Sequence, residues 1–314
     1  MNDSTERVSL EIRQRLVKLT MDQLVEGILF SGGLDSGILA CIRPDMKAIT
    51  ITLESHGSDI KYARDISKSK GILHYHKEVK IEEALNAIPE LIRILESFDP
   101  AIPNDLAAYF GLKYARELGL HSVMTGDGSD EIFAGYSFME TLDDLEGYIK
   151  SISPFMEFGS NRIGKYFGLS ISQPFLDKAF LEFSGSIDPK LKIKRVDGKT
   201  WGKWILRYAF SDLLPDGIAW QTKRPLEVGS GMSYLRSVIE SMVSDKEFNE
   251  KRDLYGIKFF SKEHLYYYKI FRKEIGLIPP VLGDEKQCHS CGAGIPKDKF
   301  HCRVCGWVEA SIWK

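Results

Sequence analysis

The sequence predicts an α/β protein, with a parallel sheet covered by helices on both faces, a largely helical part after it, and a small zinc ribbon at the end. Three observations carry this. Between Ile28 and Met124, short apolar runs alternate with stretches of helical period. Two of those runs stop at glycine-rich turns, "SGG" at Ser31 and "TGDG" at Thr125. Four of the five cysteines fall as two C-x2-C-G pairs, Cys288/Cys291 and Cys302/Cys305.

In chain order, an amphipathic helix is expected near Val8 to Leu19, within an N-terminal segment 1–24. Strands are expected at Ile28–Phe30, Ala48–Leu53, Leu73–Val79 and Ser122–Thr125, the first as a short, fully buried apolar run and the others from the alternation of strand and helix patterns. Helices are expected around Ile38 and over Tyr62–Ser69, Glu82–Leu95 and Leu106–Leu118. Beyond Tyr136 the helical stretches are Asp143–Ile152, Lys199–Phe210 and Met232–Val243. "GLIPPVLGDEKQ" from Gly276, with paired prolines and then charge, reads as a linker. The expected division is a main domain over 25–282 and the ribbon over 283–314.

With 314 residues and 43% hydrophobic content, the chain can bury a full core. A formal net charge of −2 argues against nucleic-acid binding through bulk charge. The first residues are charged throughout and lack an apolar signal region, and no apolar run has membrane-spanning length, so a cytosolic protein is expected. Four thiolates at zinc-knuckle spacing complete a tetrahedral Zn2+ site; disulfides and free thiols are the alternatives. His289 and His301 beside the knuckles read as bystanders, and Cys41 as a small core residue.

"ILFSGGLDSGILA" from Ile28 reads as strand, glycine turn and helix, a layout whose backbone N–H groups form an anion cradle. It carries no P-loop lysine; Asp35 stands there instead, which beside a polyphosphate calls for a bridging Mg2+. An ordinary turn capped by Asp and Ser is the competing reading. "VMTGDGSDEIFAGY" from Val123 sets Asp127, Asp130 and Glu131 around two glycines directly after a strand. Carboxylates so crowded call for a cation, unless the turn is merely solvated. Since Ser31 and Thr125 both follow strands of one parallel sheet, they can face one site.

Taken together, S-G-G-L-D-S and T-G-D-G-S-D-E-I-F-A-G-Y resemble the synthetase domain of asparagine synthetase, one of the PP-loop ATP pyrophosphatases. Segments at Ala101, Gln173 and Gly202 continue the resemblance in family order, over about Val25 to Gly231. It implies that Ser31, Gly32, Gly33 and Ser36 hold the β- and γ-phosphates of ATP, with Asp35 and Asp130 binding Mg2+ on them. Leu29, Ile51, Thr125 and Gly126 would line the adenosine site. Asp127 stands where the family has a glutamate implicated in amination. Lys203 matches the lysine that supports pyrophosphate departure, and Lys223 a basic loop position. On a helix, Lys203 and Arg207 would share one face, either toward pyrophosphate or toward solvent.

The implied activity is an ATP-dependent, AMP-forming carbon–nitrogen ligase acting on a carboxylate, aspartate being favoured. The sequence also departs from the family. Residue 2 is Asn, where glutamine-using enzymes begin their glutaminase half with cysteine, so nitrogen is expected as free ammonia or from an ammonia-supplying protein, or another nucleophile is used. Ser170 and Ser172 replace a family glutamate and arginine, which bears on the acid substrate. Asp127 is one methylene shorter than the family glutamate, so the pocket closes up around it or its task differs. The ribbon is foreign to the usual enzyme. An RNA partner and a tRNA-thiolation-type activity are the alternative, with the ribbon holding RNA or docking a protein through Trp307 and Trp313, or serving as a structural clip.

Overall fold

A computed structural model describes residues 3–309, so Trp313 lies outside the described residues. Five strands, β1 (Gly27–Leu29), β2 (Lys47–Leu53), β3 (His74–Val79), β4 (Ser122–Met124) and β5 (Ser170–Ser172), make an all-parallel sheet in the order β3-β2-β1-β4-β5. Four lie where the alternating pattern predicts. The fifth, at the sheet edge and bracketed by two serines, is an addition to the expected set.

Around the sheet run α1 (Asp3–Met21), α2 (Leu34–Ile42), α3 (Asp59–Lys70), α4 (Ile81–Leu95) and α5 (Ile102–Glu117). Successive strand residues point to opposite faces. Ile28 and Ala48 join an apolar cluster with Ile12 of α1, Ile38 of α2 and Ile66 of α3. Ile49 joins another with Ile88 of α4 and Phe110 of α5. Every residue of β2 after Lys47 is buried, and its threonines are satisfied inside, Thr50 Oγ1 donating to Phe30 O at 2.5 Å. The chain adds β2 and β3 on one side of β1, then crosses through α4 and α5 to place β4 on the other. The ends of β1 and β4 therefore flank the point where the winding reverses, which is where such sheets open a crevice.

After β4 come a short helix, α6 (Ser129–Ile132), then α7 (Leu145–Ile152) and α8 (Gly159–Tyr166). The expected helix over Lys199–Phe210 is corrected at its start. Lys199–Trp201 pairs antiparallel with Lys194–Val196 as a hairpin, and the helix runs Trp204–Phe210. Between them Lys203 adopts a left-handed conformation with φ 55°, which no helix continues through. The expected Met232–Val243 helix is observed as Tyr234–Met242.

Residues 276–285 carry neither helix nor strand. Next comes the ribbon, a two-stranded ladder of Lys286–Gln287 with Gly294–Ile295. Cys288, Cys302, Cys305 and Ile295 are buried in the same apolar cluster as Phe98, Leu265 and Phe271. Phe98 N–H donates to Val304 O at 2.8 Å, and Arg303 forms an ion pair with Glu157.

Candidate functional site

A crevice of about 630 Å3 opens at the ends of β1 and β4. Leu29, Ser31, Asp35, Ser36, Ile51, Thr125, Gly126, Asp127, Asp130 and Lys223 all border it, so the two glycine-rich turns face one site as their places after strands predict. Gly32, Gly33 and Lys203 do not border the crevice itself.

Gly32 has φ 70°, and a Cβ there would collide with the backbone of Tyr62 and Ala63 in α3. This glycine is thus required by helix packing as much as by any ligand. Gly33 is the N-cap residue of α2 and brings no side-chain cap, which leaves the first-turn N–H groups without a side-chain acceptor from it. Ser31 and Ser36 hydroxyls sit 3.2 Å apart across the turn, and Ser31 Oγ accepts from Gly33 N–H at 3.2 Å. Two hydroxyls, free amides and a helix N-terminus make an anion-binding concavity.

Beneath it lies a charge cluster assembled from four distant segments. Asp35 Oδ2 and Asp130 Oδ1 take the Lys203 ammonium at 2.7 and 2.8 Å, and Lys223 Nζ approaches Asp130 at 3.4 Å. Ser129 Oγ donates to the other Asp35 oxygen at 2.6 Å. Burial alone would raise the Asp130 carboxyl, but Lys203 and then Lys223 outweigh it and hold it below its usual range. Burial likewise opposes the Lys203 charge, and Asp130 and Asp35 reverse that, raising its pKa. Lys203 is 2% exposed and reaches this position because Gly135 has no Cβ, which would overlap Asp130 and Lys203 Cε. Two carboxylates converging on one ammonium form an oxygen donor set suited to a hard divalent cation.

Arg207 does not share that role. Its guanidinium donates to Gly202 O, Ala219 O and Gln221 O at 2.9, 2.6 and 3.0 Å, tying the segment 219–221 to the helix start. The two cations expected on one face thus serve different partners. Lys223 also lies 4.2 Å from the centre of the Tyr136 ring.

At the inner wall, Asp127 Oδ2 accepts from Thr125 Oγ1 at 2.7 Å, Ser160 Oγ at 2.6 Å and Gln173 Nε2 at 2.9 Å. The pocket closes on the shorter carboxylate: one oxygen is fixed by three donors, which aims the other. Ser160 and Gln173 escape sequence reasoning, since nothing local ties them to Asp127. Of the two serine replacements, Ser172 donates to Gln23 at 3.2 Å and Ser170 is exposed in β5. Glu131 accepts from the Tyr136 hydroxyl at 2.6 Å, and burial pushes its carboxyl up to about 7. Asp59, paired with Arg224 at 3.2 Å, and Asp105 also border the crevice and carried no motif signal.

In the ribbon, the sulfurs of Cys288, Cys291, Cys302 and Cys305 all lie within 4.8 Å of one another, with two pairs at 3.7 Å. A disulfide needs about 2.05 Å, whereas thiolates held about 2.3 Å from a tetrahedral ion stand about 3.8 Å apart. The cluster therefore fits a zinc ribbon. His301 pairs with Asp99 at 3.3 Å and His289 lies against the Trp307 ring, both outside the cluster as expected. Among the described residues, no helix is long and apolar enough to cross a membrane.

The family model described as "Asparagine synthase" matches residues 11–153 and 145–276. A probable glutamine-hydrolyzing asparagine synthetase of Dictyostelium discoideum is 30% identical over 279 residues, covering 77% of this chain and 50% of that protein. Glutamine-hydrolyzing asparagine synthetase 2 of Lotus japonicus is 29% identical, covering 81% and 48%. The chain thus spans about half the length of the relatives it matches. Among solved structures, the U34-tRNA thiolase NcsA of Methanococcus maripaludis with its [4Fe-4S] cluster aligns over 92% of this chain and 85% of its own, at TM-score 0.33 and 11% identity. With the match running from α1 through the crevice and both acidic turns, the chain belongs to the asparagine synthase family.

Proposed function

We propose that the protein cleaves ATP between the α- and β-phosphates, adenylates a carboxylate, with aspartate favoured, and transfers the acyl group to nitrogen. The nitrogen source is ammonia, free or supplied by a partner protein. One observation carries the reading: two aspartates from turns nearly a hundred residues apart converge on a single buried ammonium beside an anion cradle. A structural ion pair would not need the open crevice beside it.

In this reading the α2 N-terminus with Ser31 and Ser36 receives the departing phosphates. Asp35 and Asp130 hold Mg2+, which when bound would neutralise charge on those phosphates. Lys203, desolvated and fully charged, counters the charge that grows on pyrophosphate as the bond to the α-phosphorus breaks. Leu29, Ile51, Thr125 and Gly126 seat the adenosine, with Lys223 at the rim. Asp127, oriented by three donors, receives a proton from the nitrogen nucleophile as it attacks the acyl carbon; AMP leaves with the electron pair of the broken C–O bond. Zn2+ in the four-cysteine cluster supplies structure and no chemistry.

Pyrophosphate–ATP exchange, screened across aspartate, other carboxylic acids and bulk tRNA, tests the reading. Exchange with one small acid and release of AMP are expected. Exchange only with tRNA, or formation of ADP and orthophosphate, overturns it.

A further inference from the structure

A second cavity of about 650 Å3 lies between the synthetase-like body and the ribbon, and meets the crevice through a neck formed by Asp105, Glu131, Tyr136 and Phe158. One wall is a file of packed rings. Tyr136 stacks on Phe138 at 5.6 Å, Phe138 meets Tyr148 edge-on at 5.8 Å, and Tyr148 reaches Phe300 of the ribbon at 6.3 Å. Rings that brace one another hold a cavity open in advance of any ligand, and this volume suits a small organic molecule.

The charged groups around the chamber pair off with one exception. Arg162 lies 3.6 Å from Glu96 and 3.8 Å from Glu157, Glu157 also pairs with Arg303, and Asp99 meets His301 at 3.3 Å. The two remaining acids are wholly or partly neutral near pH 7. Burial, with Asp99 and Asp127 near, pushes Asp105 up to about 8, and burial pushes Glu131, which accepts from the Tyr136 hydroxyl, up to about 7. Lys299 is the unmatched group. Among the described residues no carboxylate comes within ion-pair distance of its ammonium, which lies 5.1 Å from the centre of the Phe155 ring.

We infer that the chamber binds an arylalkyl carboxylic acid, its carboxylate paired with Lys299 and its ring among Tyr148, Phe155 and Phe300. Complementarity at both ends of the ligand supports this. A carboxylate supplies the counter-charge that Lys299 lacks, and a protonated Asp105 opposes no anion and can donate a hydrogen bond to one. An ammonium would find each ionised carboxylate already engaged. A small hydrophilic acid such as aspartate would leave the rings uncovered, so this site is separate from the acid position of the proposed reaction. Ammonia and Asp127 keep their roles there, and the inference does not depend on adenylation.

Titration calorimetry at pH 7 on the zinc-loaded full chain, without ATP, compares 3-phenylpropionate with its neutral amide and with phenethylamine. The acid is expected to bind at least fivefold more tightly than either. Lys299→Gln should weaken the acid at least fivefold while leaving the amide within twofold, and Phe300→Ala should weaken both severalfold. Neither side chain belongs to a buried core cluster, so both variants are expected to fold. Excess aspartate should not displace the acid. Absence of acid binding, equal binding of the amide or the amine, indifference to either substitution, or displacement by aspartate overturns the inference. Pyrophosphate exchange, measured separately, bears on the adenylation reading alone.

Discussion

Asp35 and Asp130 each neutralise part of a lysine that is nearly out of contact with water. Asp35→Asn and Asp130→Asn should each lower turnover at least a hundredfold, through loss of the divalent ion and of the ammonium's partner. Amide formation and pyrophosphate exchange should fall together, and near-normal exchange in either variant would contradict the assignment. A second residue-scale expectation concerns His264, fully buried between Phe98 and Phe260 with Nδ1 accepting from Phe260 N–H. Burial lowers its pKa to about 4, so the folded state favours neutral imidazole. Its contribution, up to about 3 kcal/mol, is complete above the unfolded value near 6.5 and is lost as pH falls toward 4. Denaturant titrations at pH 7 and pH 5 should show this slope in the wild type and a shallower one in His264→Asn.

The turn after β1 makes a prediction at the scale of the element. Gly32→Ala places a Cβ in left-handed backbone and against the backbone of α3, so about 3 kcal/mol of stability should be lost. Urea unfolding checks this, and a loss under 1 kcal/mol would mean the turn and α3 can separate cheaply. Much at this scale was legible beforehand. Four of the five strands were legible: β1, β2 and β4 through short, largely buried stretches rich in apolar residues, and β3, His74–Val79, through its place between turn residues despite its polar, half-buried composition. β5 was not, since an edge strand of Ser170, Ile171 and Ser172 needs little apolar character and borrows its order from β4. The helix assumed over Lys199–Phe210 failed because its period looks helical while Gly202 and left-handed Lys203 break it. The site divides the same way. Its motif residues were readable as contiguous turns, but Ser160, Gln173 and Asp105 come from separate elements and reach the crevice only through tertiary packing. Asp105 near the start of α5 looks in sequence like any acidic first-turn residue.

For the molecule as a whole, the ribbon is joined to the body by a shared core. Deleting residues from Asp284 onward would uncover Phe98, Leu265 and Phe271, which are fully buried. The truncated protein should melt well below the full chain and lose pyrophosphate exchange. Chelation of the metal should produce a milder version of the same destabilisation, because thiolates without an ion repel one another and free the knuckles. An unchanged melting temperature after truncation would show that the ribbon is an independent docking module.

The bond from Phe98 to Val304, with Ser97 Oγ also donating to Val304 O across 207 residues of chain, bears on how the protein is made. Translation runs from the N-terminus, so the sheet, the crevice and both acidic turns emerge well before the segment that covers Phe98. Until the two cysteine knuckles have left the ribosome and captured their ion, that aromatic surface stays uncovered and open to holdase binding. With zinc as that ion, its cellular supply would become a gate on maturation: the part of the chain that carries the crevice can be synthesised without the metal, but its exposed aromatic core is covered only once the knuckles close.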